Sequence, residues 1–193
     1  MATASKTTTR EKVKQTAKRL FRERGYAAVG MRELAEAVGI RAPSLYNHYK
    51  GKDDILREIC FELAEQFFKA FNEATATEDK SVKKLRAAIK AHISVIAGNI
   101  DSAEVFFHEW IFLEQPNLSK FKKLRFEYEM MFRDIIDKGI KRGDFKKMNS
   151  KLTAFTIFSA LNATYEFMRS SEKYTQEQMA EDIADLLLKG LKA

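Results

Sequence analysis

Between Met31 and His48 the chain carries two short runs of helical spacing divided by a glycine, and no other feature restricts the fold as much. Leu34, Ala35 and Val38 recur on one helical face, and Gly39 follows where a left-handed residue ends a helix without a side-chain penalty. Ile40 can then plug the angle between helices. Pro43 suits the first turn of the next helix, whose amide hydrogens need no intrahelical partner, and Ser44, Leu45, Tyr46, Asn47 and His48 continue it. Upstream, from about Thr9, Val13, Ala17, Leu20 and Phe21 mark the inner face of a longer basic helix stopped by Gly25. Helix, glycine turn and short helix form the helix-turn-helix arrangement, whose second member enters a DNA major groove.

The charge distribution agrees with such a partner. Residues 1–60 hold 13 Lys and Arg against 7 Asp and Glu, a net of +6, whereas residues 61–193 hold 21 against 20. The excess is segregated with the motif, and a basic unit of this kind attracts a polyanion. Charge alone leaves anionic membrane, RNA and DNA open; the helical spacing selects duplex DNA. The single cysteine, Cys60, excludes an internal disulfide framework and points to a reducing, cytoplasmic setting. The N-terminus lacks the apolar core of a signal peptide, and no run approaches the roughly 18 apolar residues that span a bilayer, so no membrane partner is expected. Residues 1–8 are polar and aperiodic and read as a mobile arm.

The third helix offers groups suited to DNA. Arg41 and Ser44 stand near its start, Asn47 can pair with adenine, and Tyr46 and His48 can donate to phosphate oxygens, although Tyr46 and Tyr49 suit packing equally well. Asp53 is the expected N-cap of a fourth helix, which leaves Lys52 and free amides facing an anion.

Three runs are diagnostic: Ala17 Lys18 Arg19 Leu20 Phe21 Arg22 Glu23 Arg24 Gly25 Tyr26, then Arg32 Glu33 Leu34 Ala35 Glu36 Ala37 Val38 Gly39 Ile40, then Ser44 Leu45 Tyr46 Asn47 His48 Tyr49 Lys50 Gly51 Lys52 Asp53. Over residues 10–60 they closely resemble the N-terminal domain of the TetR family of bacterial transcriptional regulators. The resemblance implies that Ala17 and Phe21 are core, that Tyr46, His48 and Lys52 touch phosphates, and that the start of the third helix reads bases. Arg32, Arg41, Ser44, Tyr46, Asn47, His48 and Lys52 are therefore the candidate DNA-binding residues. Two positions depart from the family pattern: Gly30 replaces the usual Thr or Ser cap, and Arg41 stands where a capping Ser is common. Gly caps more weakly by a few tenths of a kcal/mol, whereas Arg accepts no amide hydrogen at all and is free to face guanine or phosphate.

The remainder reads as all-helical. Ile55, Ile59, Leu63, Phe67 and Phe71 define a long helix from Asp53, and further helices are expected over Val82–Ile96, Ser102–Phe112 with Asp101 as cap, Asn117–Lys141, Ser150–Arg169 and Thr175–Leu191. The fold class is all-α: an N-terminal three-helix helix-turn-helix domain over residues 1–52, joined to a C-terminal helical bundle over residues 53–193 for dimerisation and ligand binding. The resemblance implies a homodimer built largely from the last two helices and a pocket between the fourth helix and the fifth to eighth. Leu152, Phe155, Ile157, Phe158, Leu161, Tyr165, Phe167 and Met168 are more large apolar residues than one face of a lone helix can bury, which suits a bundle interface. Leu186, Leu187, Leu188 and Leu191 suit either that interface or an intramolecular core.

The middle of the chain is rich in aromatics and methionine. His92, Phe106, Phe107, Trp110, Tyr128, Met131 and Tyr165 are the candidate ligand-binding residues, lining a site for a small hydrophobic or amphipathic effector, while ordinary core packing explains most such aromatics. A metal site would need distant His92 brought to His108 and Glu109, and no metal or cofactor is expected. No nucleophile with its base, phosphate-cradling glycine loop or metal-spaced cluster emerges, so an enzyme is not expected. These readings describe a homodimeric repressor released from a palindromic operator by an effector. The alternative is a constitutive or structural DNA-binding protein whose helical body only dimerises.

Overall fold

The structure is a computed structural model describing residues 8–170 and 174–192; the N-terminal arm, apart from Thr8, lies outside the described residues. The helices are α1 (Thr9–Arg24), α2 (Met31–Val38), α3 (Ala42–Tyr46), α4 (Lys52–Thr75), α5 (Ser81–Ala97), α6 (Ile100–His108), α7 (Asn117–Arg142), α8 (Ser150–Asn162), α9 (Thr164–Ser170) and α10 (Gln176–Leu191), with a 3-10 turn over Glu109–Phe112. Among the described residues no strand forms, only an isolated antiparallel bridge between Phe145 and Lys192.

The chain divides into two compact units, one comprising residues up to Glu62 with Asp101–Phe121, the other Leu63–Ile100 with residues from Lys122 onward. Helices α4 and α7 run unbroken through both, so this structural division does not fall at the functional boundary expected after residue 52.

In the first unit Thr8 caps α1 by accepting the amide of Glu11 at 3.2 Å. Val13, Ala17, Leu20 and Phe21 are buried on one face, as their spacing requires, in a core with Leu34, Ala35, Leu45, Tyr49, Ile55, Leu56 and Ile59. Gly25 and Gly39 take φ of +79° and +78°, which lets α1 and α2 stop where the turn demands. The inner side of α1 is not purely apolar. Lys14 donates to both Glu62 oxygens at 2.8 Å and pairs with Glu58 at 3.2 Å. Burial pulls the Glu58 carboxyl upward, but hydrogen bonds from Arg10 and Lys14 outweigh it and hold the group below its usual range. This cluster ties α1 to α4.

In the second unit α5 packs against α10, burying Leu85, Ala88, Ile89, Ile93 and Ile96 with Met179, Ala180, Ala184 and Leu188. Arg86 bonds Glu181 at 2.9 Å and also Asp185, while Lys90 reaches Glu181. These pairs are exposed and set register more than stability. Thr175 and Gln178 close a reciprocal capping box at the start of α10.

Several helix boundaries differ from the sequence reading. The expected helix Ser150–Arg169 breaks at Ala163, where Thr164 Oγ1 donates to Leu161 O at 2.7 Å and occupies a carbonyl at the end of α8. The helix after Gly98 starts at Ile100 and tightens into 3-10 geometry at Glu109, so Asp101 lies in its first turn and is not its cap. Helix α4 begins at Lys52 rather than Asp53. Asp53 instead accepts the amide of Glu114 at 2.8 Å, and Asp54 accepts that of Lys50 at 3.0 Å.

Candidate functional site

The recognition element is short. Arg41 occupies the N-cap of α3 in extended conformation with no side-chain cap bond, Pro43 sits in the first turn, and Asn47 is the C-cap. Only Leu45 of α3 is buried, against the core, and this leaves Arg41, Ser44, Asn47 and Tyr46, the last 52% exposed, on the outer side. His48, expected to continue the helix, lies half-buried in the turn beyond it, where its carbonyl accepts Arg10 Nη1 at 2.9 Å. Arg32 is exposed in the first turn of α2. The exposed edge of α3 with its caps thus presents one guanidinium, one amide and two hydroxyls, the set that reads base edges and phosphates.

Much of the basic charge nearby is already neutralised. Arg10 pairs with Glu58, Lys14 with Glu62, Arg19 and Arg22 with Glu23, Arg22 also with Asp101, and Arg24 with Glu33. Arg32, Arg41 and Lys50 are exposed. Lys52 is in a different position: its ammonium donates to Tyr26 O at 2.8 Å and Ala27 O at 3.3 Å and lies 4.3 Å above the Tyr26 ring. Those bonds occupy two of its three protons.

The expected ligand-binding residues separate into two groups. In the second unit, His92 is buried with Phe67 stacked on it at 4.5 Å, and Tyr128, Phe132 and Phe158 lie at 5.8, 6.5 and 5.7 Å. Its Nδ1 is 3.3 Å from the Tyr128 hydroxyl, which burial keeps protonated. His92 Nε2 and Asn162 Oδ1 are buried without a hydrogen-bond partner. Met131 lines a separate cleft of about 400 Å³ with Phe71, Thr75, Ile135 and the charged rim of Lys84 and Arg142. Tyr165 is buried, its hydroxyl donating to Glu166 at 3.0 Å. Phe106, Phe107 and Trp110 belong to the first unit. There Phe106 packs edge-on against Phe107 and Phe121, both at 5.2 Å, and Trp110 lies 6.0 Å from Phe121. His108 and Glu109 share that unit and His92 does not.

Sequence reasoning assigned Phe67 to helix periodicity and Phe158 to a dimer face, and overlooked Asn162. The available signal was a polar amide directly after the stretch Ile157–Leu161, whose Ile157 and Leu161 are buried.

Burial pushes the His92 imidazole down to about 3, against an opposite pull from the nearby Asn162 side chain. The unfolded state, with an ordinary value near 6.5, therefore binds more protons in acid than the native state, so the stability contribution is complete above that value and drains away as pH falls. Between pH 7 and 5, above most carboxylate titration, the wild type should lose about 2 kcal/mol more stability than His92→Leu, by the same linkage. Urea melts at both pH values check this; equal losses would mean the ring titrates freely in the fold.

A helix-turn-helix head with an all-helical body defines a class of DNA-binding proteins. Residues 15–59 match the bacterial regulatory proteins of the tetR family, and residues 78–191 match the tetracyclin repressor-like C-terminal domain. The chain is 26% identical over 174 residues to the fatty acid metabolism regulator protein of Bacillus subtilis, covering 88% of each. Its fold is that of the ketosteroid transcriptional regulator KstR2 of Mycobacterium tuberculosis, with a TM-score of 0.90 at 20% identity, covering 98% of this chain and 97% of that one. It is likewise that of AibR, solved with isovaleryl coenzyme A and operator DNA, with a TM-score of 0.83 at 20% identity, covering 94% and 98%. The chain belongs to the TetR family of transcriptional regulators. No helix among the described residues is long and apolar enough to cross a membrane.

Proposed function

We propose that this regulator binds a roughly palindromic operator as a homodimer and is released from it by a small molecule with an apolar, acyl-type part. Residues 1–52 read the DNA, and residues 53–193 dimerise and hold the effector. The observation that carries the reading is the exposed edge of α3, where Arg41, Ser44 and Asn47 face outward around a single buried anchor, Leu45. One such helix reaches one major groove, so two-fold symmetry requires two half-sites on compatible faces of the duplex.

Two features support an effector site in the second unit. The cluster of Phe67, His92, Tyr128, Phe132 and Phe158 is apolar enough for an acyl chain, and its polar groups are neutral hydrogen-bonding groups suited to a carbonyl or hydroxyl. The relatives agree in kind, one named for fatty acid metabolism and one neighbour bound to isovaleryl coenzyme A.

Arg41, Ser44 and Asn47 read bases, Arg32, Tyr46 and His48 hold the backbone, and the third proton of Lys52 reaches a phosphate. Lys52→Ala should weaken binding to operator and to unrelated duplex by similar factors. The slope of log affinity against log salt should shrink by about one for each phosphate that a subunit no longer touches. Fluorescence anisotropy across a salt series measures both, and an unchanged slope would assign Lys52 to its carbonyl bonds alone. Arg41→Ala and Asn47→Ala should instead change the ranking of operator variants.

A further inference from the structure

Residues 101–114 share a compact unit with the helix-turn-helix, and several independent interactions hold them there. Asp101 pairs with Arg22 near the end of α1. The Phe112 ring stacks on Tyr26 at 5.4 Å and 24°, and Tyr26 meets Phe21 edge-on at 5.1 Å. The amide of Glu114 donates to Asp53 at 2.8 Å. Burial, with Asp53 and Glu114 adding negative charge, pushes the Tyr26 hydroxyl up to about 12.

These interactions fall on two places. Arg22 and Tyr26 lie at and just beyond the end of α1, and Asp53 opens α4 beside Lys52, whose ammonium lies over the same Tyr26 ring. Between those two places the chain runs through α2 and α3. Whatever grips both ends of that excursion sets how α3 is presented.

We propose that residues 101–114 form a positioning strap for the recognition helix: Phe112 and the Glu114 amide clamp Tyr26 to Asp53, and operator affinity depends on a segment that touches no DNA. The proposal rests on the operator-binding reading. Base readout needs close alignment of side chain and base edge, whereas phosphate contacts tolerate small shifts. Loosening the strap therefore costs specific binding more than non-specific binding, and no cation is removed with it.

The test uses the full-length protein, an operator obtained by selection from random duplexes, and an unrelated duplex of equal length. Phe112→Ala removes a ring that is 43% exposed, so the core keeps its packing. Asp53→Ala removes the acceptor and is read against Asp53→Asn, which removes the same charge and keeps an acceptor oxygen. Tyr26→Phe keeps the ring packing. Phe112→Ala and Asp53→Ala should each bind operator about tenfold or more weakly than their references, with an unchanged salt slope and unrelated DNA held within about twofold. Asp53→Asn should keep that salt slope, and Tyr26→Phe should match the wild type. Thermal melts confirm that each variant is folded at the assay temperature, and the Asp53 pair, at a half-buried position outside the core, gives the reading if Phe112→Ala is not. Operator affinities equal to the references would overturn the strap alone. Equal losses on both duplexes with a smaller slope would also overturn it, assigning the segment to phosphate binding. A wild-type chain with no sequence preference would overturn the operator reading and the strap together.

Discussion

Replacing Leu152 and Phe155 together by glutamate should turn the protein into a monomer and weaken binding to a full operator on the order of 10²- to 10⁴-fold. In the single chain these side chains of α8 are 63% and 67% exposed, and Leu186 of α10 is 74% exposed, although Ile157, Leu161 and Leu188 on the same helices are buried. Each helix has therefore spent one face on its own core and left large apolar groups over. Covering a leucine or phenylalanine contributes about 1.5–3 kcal/mol, and a two-fold interface counts every residue twice. Glutamate there places like charges opposite each other in a desolvated patch, which costs several kcal/mol. Loss of DNA binding follows because the second head then binds as an independent molecule. Sedimentation at micromolar concentration and anisotropy with full and half operators check the two parts. A variant that stays dimeric would move the interface elsewhere, and a monomer that keeps full affinity would remove the need for two heads.

An acyl thioester or related apolar compound that raises the melting temperature should lower operator affinity about 100-fold. That corresponds to a coupling free energy of about 2.7 kcal/mol, and operator must weaken the compound's binding by the same factor. The prediction comes from the aromatic cluster around His92 and from α4, which carries Phe67 of that cluster and Lys52 and Asp53 of the first unit on one continuous helix. A compound binding both states equally would stabilise the fold and leave DNA occupied. Titration of an acyl-coenzyme A series, with and without saturating operator, measures the coupling directly. His92→Leu and Phe158→Ala should weaken compound binding while leaving operator affinity of the unliganded protein intact. If every compound that binds stoichiometrically does so with one affinity in both titrations, the protein is a constitutive DNA-binding dimer.

The helix-turn-helix was legible because its determinants are local. Gly39 at positive φ, Pro43 in a first turn and the spacing of Leu34, Ala35 and Leu45 act over a few residues, and each local preference agrees with the fold it serves. The same is true of the all-helical body and of the surplus apolar residues on α8. Helix ends were less legible: the expected late helix stops at Asn162, beside the Thr164 hydroxyl bond to Leu161 O, and Asp53, inside α4, holds the distant amide of Glu114.

Amino-acid order by itself therefore determined which segments coil, which residues of α3 face outward, and that the basic excess lies with them. Only the tertiary structure decided how much of that charge remains for DNA, because the acids that neutralise Arg10, Lys14 and Arg22 stand 48, 48 and 79 residues away. It also decided that Phe106, Phe107 and Trp110 pack in the compact unit that contains the helix-turn-helix while His92 and Tyr128 meet in the other. Periodicity reports which face of a helix is apolar, and a face has no label for its partner. That partner is chosen by the global minimum of burial, charge pairing and chain connectivity, which no window of local sequence contains.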